Sequence, residues 1–581
     1  MSIDASSLVG RVRAGESFEG QRLSGLDLRN LPLQNGKFAG VEFSGCAMQG
    51  TDFSGGDLSG ARVFQSRLDQ ARFGRSKLVG TSFVLMHLDE VECQEADLTD
   101  AQAIGGVLPR ADFSRATLTR TLLASADVSG ATFDKAAMEE TRLDMAKANG
   151  ATFRHATLTK ASCNKAELRD TDWSGATLRE CVFAAADLRG ADFSTASLDT
   201  VIFAGADLRG AKLPKELNRC QFSGAKLTDY DLSAAELEAA DFDELEMTAA
   251  DFSGSSLKTA TFMGCDLREA NFSNADLELA VLAKCNLKGA SFAGANLKTT
   301  TLAEANCEGV SFAGLDLYML AAPKAVLTKA DFTDARLRFT VLQAADLRGA
   351  SLRGARLESA ILMDALVEGA DIAGASFLNV MLNAKDLRTL PLAGLRFEQC
   401  FFDELDLSGV SFAGCELKRC RFVKCNLEGC DFRDVVADYS QFTKSQMKDA
   451  KFSGSRLRAC NFDEATLTGV DFTGSYMREA MFRKANAATA IFSTAMLREA
   501  IFDTTDLRAA KLQKCDLRYA DLSNANADAA DFSGANLSHA NLHAILDKGT
   551  VWSSATMTGA RRTDADRFKG ETFKPVRPPK Q

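Results

Sequence analysis

The sequence predicts an all-β solenoid, in which short extended segments and tight turns alternate so that each coil of the chain stacks on the one before. A five-residue pattern fills nearly the whole chain, and Phe returns at every fourth repeat over long stretches. The pattern is clearest at residues 530–542, where a small residue is followed by Asp or Asn, by Leu or Phe, and by two polar or small residues. We number these positions 1 to 5. A strict period of five fits neither the spacing of a helix nor the alternation of a strand.

The repeats keep one register over two long segments. Position 3 recurs every five residues from Phe18 to Leu213 and again from Leu217 to Met557, which gives about 109 repeats. One residue is missing across Pro214, so we expect 213–217 to be the only internal junction and a point where the solenoid can bend. The predicted parts are a cap at 1–15, repeat segments at 16–213 and 217–559, and a basic, proline-containing tail at 560–581.

The spacing also indicates how the chain coils. Positions 1 and 3 lie two residues apart, so their side chains point the same way along an extended segment. The remaining residues must then turn the chain, and each repeat forms one side of a coil. Counting by twenty collects Phe on one side, and this supports an even number of sides without proving four. The members of that side include Phe113, Phe133, Phe153, Phe252, Phe272, Phe292, Phe412, Phe432 and Phe452.

The Ala-(Asp/Asn)-Leu-x-x pattern over residues 16 to 559 resembles the pentapeptide-repeat proteins. The resemblance implies a right-handed quadrilateral parallel β-helix, here of about 27 coils. It also implies that positions 1 and 3 face inward and the other three face outward. The interior would then be filled by ladders of Phe, Leu and Ala and would be no pore.

The two ends lie outside the pattern. Residues 6–13 are expected to form a short helix or strand that covers the first coil, because terminal repeats need a polar cap. The last stretch carries seven basic and three acidic residues over 561–580. We expect Phe568 and Phe573 to close the last coil and the proline-rich end to be extended, with a docking role as the alternative.

Composition limits the compartment and the partners. The net charge of −10 argues against a nucleic-acid-binding surface, which would be basic. No apolar stretch reaches the 18 residues of a membrane span, and the start of the chain does not look like a signal peptide. We therefore expect a cytoplasmic protein, and export by a route that needs no signal peptide stays compatible with the sequence.

All 15 Cys fall at position 1 or 3, so they are expected to face inward as small apolar residues with reduced thiols. The run Cys415, Cys420, Cys425 and Cys430 places each thiol on a different side of a coil, which favours packing over a zinc site.

No catalytic, cofactor or metal residues are predicted, and we expect no enzyme. His539 and His543 are interpreted as surface polar residues, and no phosphate-binding loop is present. The segments outside the repeats are too short for a catalytic domain.

One corner of the second segment stands out, because apolar residues align there at outward positions. Such an aligned patch suits an interaction surface, whereas the alternative is that the side chains only stack on one another. The residues predicted to bind a partner are Tyr318, Met319, Phe339, Val341, Ile361, Met381, Phe401, Tyr439, Tyr476 and Tyr519.

We interpret the chain as a non-enzymatic protein–protein interaction scaffold or adaptor that binds another protein, or a second copy of itself, through this corner. The family resemblance implies a bacterial setting and an association with secretion systems or their effectors. One alternative is a DNA mimic that binds a type II topoisomerase, as the resemblance to quinolone-resistance proteins implies. Its weakness is that the charge is dilute and basic residues alternate with acidic ones. Another alternative is a purely structural rod.

Overall fold

The structure is a computed structural model that describes residues 4–227 and 231–573. The chain divides into two compact units, Met1–Ala295 and Asn296–Gln581. Both units are built from the predicted repeats, and each is described by itself below.

The first unit begins with helix α1 (Ala5–Arg13) and continues as coils in which most repeats contribute one bridging residue. Seven repeats extend into three-residue strands that form two parallel sheets, β1-β2-β3 and β4-β5-β6-β7. The strands are β1 (Arg22–Ser24), β2 (Glu42–Ser44), β3 (Arg62–Phe64), β4 (Ala137–Glu139), β5 (Thr157–Thr159), β6 (Thr177–Arg179) and β7 (Ser197–Asp199).

The second unit has one parallel sheet in the order β12-β11-β10-β9-β8, a 3₁₀ turn at Leu387–Thr389 and a C-terminal helix α2 (Ala565–Thr572). The strands are β8 (Arg336–Arg338), β9 (Arg356–Glu358), β10 (Ser376–Leu378), β11 (Arg396–Glu398) and β12 (Glu416–Lys418).

The pairing register confirms a quadrilateral parallel β-helix. Residue n pairs in parallel with residue n+20 along both units, except at a few bridges with a spacing of 19, as in Asp52 with Arg72 and Asn426 with Gln446. Twenty residues are four repeats, so each coil has four sides. The count by twenty in the sequence thus reflected residues stacked directly above one another.

Most corners are tight turns closed by a backbone hydrogen bond. The Ala61 amide donates to the Leu58 carbonyl over 2.9 Å, and the same bond recurs from position 1 of most repeats to position 3 of the repeat before. Position 5 adopts a left-handed conformation, for example φ of 67° at Gly60. A positive φ at the third residue is typical of a type II turn and explains the frequent Gly there.

The core is formed by positions 1 and 3, which are buried along both units. In the second unit, two Phe ladders line opposite sides of the coil. Phe402 and Phe422 stack with ring centroids 4.5 Å apart, and Phe412 meets Phe422 edge to face at 5.6 Å. The stacking distance is close to the strand spacing, so the backbone register itself holds the rings in contact.

Position 1 also accepts small polar residues, because a fixed acceptor lies within reach. Thr51 Oγ1 donates to the Leu28 carbonyl at 2.7 Å, and Cys430 Sγ to the Leu407 carbonyl at 3.0 Å. In both cases the acceptor lies 23 residues earlier in the chain. Buried hydroxyl and thiol groups are therefore satisfied and cost little stability.

The missing residue after Leu213 is absorbed at one corner. The bridge spacing falls from 20 to 19 at Ile202 with Gln221 and returns to 20 at Glu216 with Glu236. The junction lies within the first compact unit. A division of the chain into segments at 213–217 stays a prediction.

The expectation of a single junction was wrong, because the coil is irregular again at residues 383–391. Lys385 pairs with Leu366 at a spacing of 19, and Ala384 is buried in place of a position 1 residue. The chain then forms the 3₁₀ turn at Leu387–Thr389. Pro391 falls at position 2 and has no N–H for the ladder, which gives a physical reason for the break.

The residues before the first repeat form helix α1. Leu8 and Val12 of α1 are buried, Asp4 accepts a hydrogen bond from the Ser7 amide, and the Arg11 guanidinium lies 5.0 Å from the centroid of the Phe18 ring. The helix thus covers the first coil.

The C-terminal end differs from the expectation. Residues 565–572 form helix α2, whereas residues 574–581 lie outside the described part. Phe568 and Phe573 are exposed and do not close the last coil. His543 is no surface residue: it is buried, its Nδ1 accepts from the Asp564 amide, and its Nε2 lies 3.1 Å from Glu571 Oε2.

Replacing a core ring should cost far more than replacing an outward ring in the same coil. We expect Phe442→Ala to lower the free energy of unfolding by about 3–5 kcal/mol, since it removes two stacked contacts and leaves a cavity. Tyr439→Ala, at an exposed corner three residues earlier, should cost about 1 kcal/mol or less. Urea unfolding followed by circular dichroism measures both, and equal costs would contradict the assignment of Phe442 to the core.

Stability should fall in acid through carboxylates that the repeat itself holds ionised. Hydrogen bonds from Ser194 and Lys212 lower the pKa of Asp192 to about 2, below its unfolded value. The stabilisation is therefore present above about pH 4 and is lost as the pH falls through about 2. We expect Asp192→Asn to destabilise the protein at pH 6 and less at pH 2.5 in urea unfolding. The same loss at both pH values would show that the charge of Asp192 contributes nothing.

Candidate interaction surface

The predicted corner residues of the second unit begin with a compact aromatic cluster around Arg338. Tyr318 and Phe339 meet edge to face with ring centroids 5.8 Å apart. The Arg338 guanidinium carbon lies 5.3 Å from the Tyr318 centroid and 5.8 Å from the Phe339 centroid. Phe339 is 44 % exposed and Met319, one coil before it at the same corner, is 47 % exposed. We call Tyr318, Met319, Arg338 and Phe339 the aromatic cluster.

The next four predicted residues form a ladder beside the aromatic cluster. Val341, Ile361, Met381 and Phe401 occupy position 2 of successive coils and pair directly, each with the next. All four are half-buried. The Arg421 guanidinium lies 5.6 Å from the Phe401 centroid and ends the ladder. The four ladder residues are therefore less exposed than Met319 and Phe339 of the aromatic cluster.

The remaining three predicted residues lie further along the same unit. Tyr439 is 5.7 Å from the guanidinium carbon of Arg458, and Tyr519 stacks on His539 at 5.0 Å. Tyr476 is half-buried and pairs with Arg456 and Met496 through the backbone. Polar residues occupy the ladder column in between, at Arg421, Gln441 and Asn461. The structure therefore brings the first seven predicted residues together and leaves these three apart.

An apolar strip in the first unit was not predicted from the sequence. Phe64, Val84 and Ile104 occupy position 4 of successive coils and are exposed, and Leu85 at the adjoining corner is 75 % exposed. Their spacing of twenty is a signal that the same count by twenty would have found. This strip lies outside the second segment, to which the predicted surface was confined.

The irregular coil at 383–391 borders a polar concavity of about 280 Å³. Its lining includes Asp364, Asp386, Arg388 and Asp406. Arg388 forms ion pairs with Asp386 at 2.9 Å and with Asp406 at 3.1 Å. The charged groups of the concavity thus largely neutralise one another.

The Cys and His residues form no catalytic or metal-binding group in the described ranges. All 15 Cys are buried and free of disulfides, and no group of three or more His, Cys, Asp or Glu has metal-binding geometry within residues 4–227 and 231–573. Burial raises the pKa of the Cys430 thiol to about 12 and that of Cys425 to about 12, so both stay protonated near neutral pH. Among the described helices, none is long and apolar enough to cross a membrane.

Two family models match the chain. The model described as a pentapeptide repeat region matches residues 196–272 and 395–472. The model described as pentapeptide repeats in eight copies matches more than half of the chain. The matched segments are 27–62, 66–102, 111–147, 139–175, 176–213, 260–298, 324–358, 455–493 and 505–543. The chain belongs to the pentapeptide-repeat family. No curated protein matches this pentapeptide-repeat protein.

Solved structures of pentapeptide-repeat proteins resemble parts of the chain. HetL of the cyanobacterium Nostoc sp. strain PCC 7120, involved in heterocyst differentiation regulation, is 26% identical over 52% of this chain and 97% of its own, with a TM-score of 0.18. QnrB1, a plasmid-mediated fluoroquinolone resistance protein, is 16% identical over 32% of this chain and 93% of its own, with a TM-score of 0.22. These TM-scores are low, so the family assignment depends on the family models.

Thiol labelling tests the inward placement of the cysteines. We expect none of the 15 Cys to react quickly with a thiol reagent in the folded protein at pH 8, and all of them to react after denaturation. Rapid labelling of any thiol before unfolding, located by peptide mass spectrometry, would place that Cys outside the core.

Proposed function

We propose that this pentapeptide-repeat protein is a non-enzymatic interaction scaffold that binds another protein through the aromatic cluster and the ladder beside it. The observation that carries the proposal is the exposed cluster itself, in which one arginine lies against two aromatic rings. Aromatic, Met and Arg side chains are enriched at the centres of protein interfaces.

The geometry of the corner supports binding without rearrangement. Met319 and Phe339 both have left-handed φ angles, of 55° and 54°, so their side chains project from a backbone that two neighbouring coils hold fixed. Rigid presentation lowers the entropy that association costs. The half-buried ladder of Val341, Ile361, Met381 and Phe401 supplies an apolar border.

The other functions are less well supported. Many surface carboxylates are neutralised inside their own repeat, as Asp187 is by Arg189 at 2.8 Å, so the surface lacks the dense negative charge that a DNA mimic needs. A purely structural role does not account for the exposed rings. Association with a bacterial secretion system or its effectors, cytoplasmic location and self-association stay predictions from the sequence.

Photo-crosslinking from the cluster tests the proposal. A photoreactive phenylalanine at Phe339 should capture a protein in cells of the source organism, since the ring is exposed at the proposed interface. The same residue at Met145, a 57 % exposed corner position of the first unit, should not capture that protein. Equal capture at both positions, or none at Phe339, would contradict the proposal.

Charged substitutions should then weaken binding without unfolding the protein. We expect Met319→Glu with Phe339→Glu to reduce affinity for the captured protein at least tenfold, because buried apolar contact is replaced by unpaired charge. Calorimetry with both purified proteins measures affinity, and Met145→Glu serves as the matched control. An unchanged affinity in the double variant would place the interface elsewhere.

A further inference from the structure

The aromatic cluster borders two arginines that repel each other. Arg336 of β8 and Arg356 of β9 are direct cross-strand neighbours in the parallel pairing, and both are exposed. Adjacent strands lie about 4.8 Å apart, so the two side chains leave the sheet side by side. In the described part of the chain, neither guanidinium takes part in an ion pair or a hydrogen bond. Like charges placed directly opposite each other destabilise a sheet.

In other cross-strand residue pairs, an outward arginine lies opposite a glutamate that neutralises its charge. Arg338 and Glu358 form the other outward pair of the same two strands, 3.3 Å apart. Arg22 pairs with Glu42 across β1 and β2, and Arg396 with Glu416 across β11 and β12. Among the twelve strands of the described chain, Arg336 and Arg356 are the one cross-strand pair of like charge.

We call Arg336 and Arg356 the arginine doublet. The nearby carboxylates do not neutralise its charges. Asp316 lies one coil before Arg336 in the same column, but its carboxylate pairs with Lys298 at 3.8 Å. Glu358 is engaged by Arg338. Asp334, at the corner before Arg336, makes no ion pair with it in the described residues. Two positive charges are therefore left open on the side that carries the aromatic cluster.

We infer that the segment bound at this surface is an acidic protein segment, in which two carboxylates engage Arg336 and Arg356 and a neighbouring apolar side chain packs on Tyr318 and Phe339. The inference rests on the proposed function and names the chemistry of its partner. A bound carboxylate gains charge-assisted hydrogen bonds and also relieves the repulsion within the doublet. The aromatic cluster supplies the apolar contact, and the arginines supply selectivity and rate of association.

A protein segment fits better than a nucleic acid. The positive surface is only two residues wide, and Asp316, Asp334 and Glu358 surround it. A polyanionic backbone would meet these carboxylates as it extended beyond the doublet, whereas a short acidic segment with an apolar residue need not.

Peptide selection on the full-length protein tests the inference. A random dodecapeptide display library should yield binders with at least two Asp or Glu close to a Phe, Leu or Met. Synthetic copies should bind at least tenfold more weakly to Arg336→Gln with Arg356→Gln, and raising the salt concentration should weaken binding to the wild type more than to the variant. Because the substitutions remove repulsion, the thermal midpoint of the variant should equal or exceed that of the wild type.

A matched control distinguishes the specific effect of Arg336 and Arg356 from the effect of removing any two arginines. Arg396→Gln with Arg456→Gln changes two position 2 arginines of the same side whose charges are already paired, with Glu416 and Asp438. This control should bind the peptides as the wild type does. Selection of peptides without acidic residues, no selection at all, or equal loss in both double variants would overturn the inference. Binding of a DNA oligonucleotide with the same arginine dependence would overturn it in favour of a nucleic acid.

The outcomes also separate this inference from the proposed function. If the captured protein loses affinity for Met319→Glu with Phe339→Glu but not for the doublet variant, the interaction surface stands and the acidic chemistry is wrong. If acidic peptides bind through the doublet but Phe339 captures no protein, the peptide chemistry stands and the scaffold role fails.

Discussion

The structure depends on one constraint: each repeat must close a turn whose position 5 residue is left-handed, so that residue n+20 comes to lie above residue n. The backbone hydrogen bonds between coils require this return, because a coil of another length shifts the bonds unless one corner absorbs the difference. The junction after Leu213 shows how the constraint is met, since the spacing falls to 19 at one corner and then recovers. The irregular coil at 383–391 shows its limit, because Pro391 cannot donate the ladder bond.

This constraint restricts the interior and leaves the exterior free. Positions 1 and 3 are enclosed on all sides, so they accept only residues that stack, such as Phe and Leu, or that fit beneath a carbonyl, such as Ala, Cys, Ser and Thr. The side chains of the other positions point outward and need not fit the core, although position 5 must still adopt the left-handed conformation. Function in this fold can therefore change by substitution at outward positions, and the aromatic cluster and the arginine doublet are both built from such positions.

The exposed residues of the proposed interaction surface were only partly predictable, because the repeat does not restrict outward positions. The count by twenty placed Val341, Ile361, Met381 and Phe401 in one column, and they do pair there. It could not show that all four side chains are half-buried, because burial depends on rotamers and on neighbours in the adjacent coil. The same count by twenty along the sequence would have identified the apolar strip at Phe64, Val84 and Ile104. The burial of His543 beneath α2 could not be predicted from the sequence, because no helix was expected in the tail.

By itself the sequence determined the solenoid, its inward residues, the family and the corner at which apolar side chains collect, because a strict repeat turns spacing along the chain into position in space. Only the tertiary structure decided which outward groups remain available. Asp316 reaches Lys298 and leaves Arg336 unpaired, while Glu358 is taken by Arg338. Such choices depend on competition among side chains from neighbouring coils, at distances that no spacing in the sequence fixes.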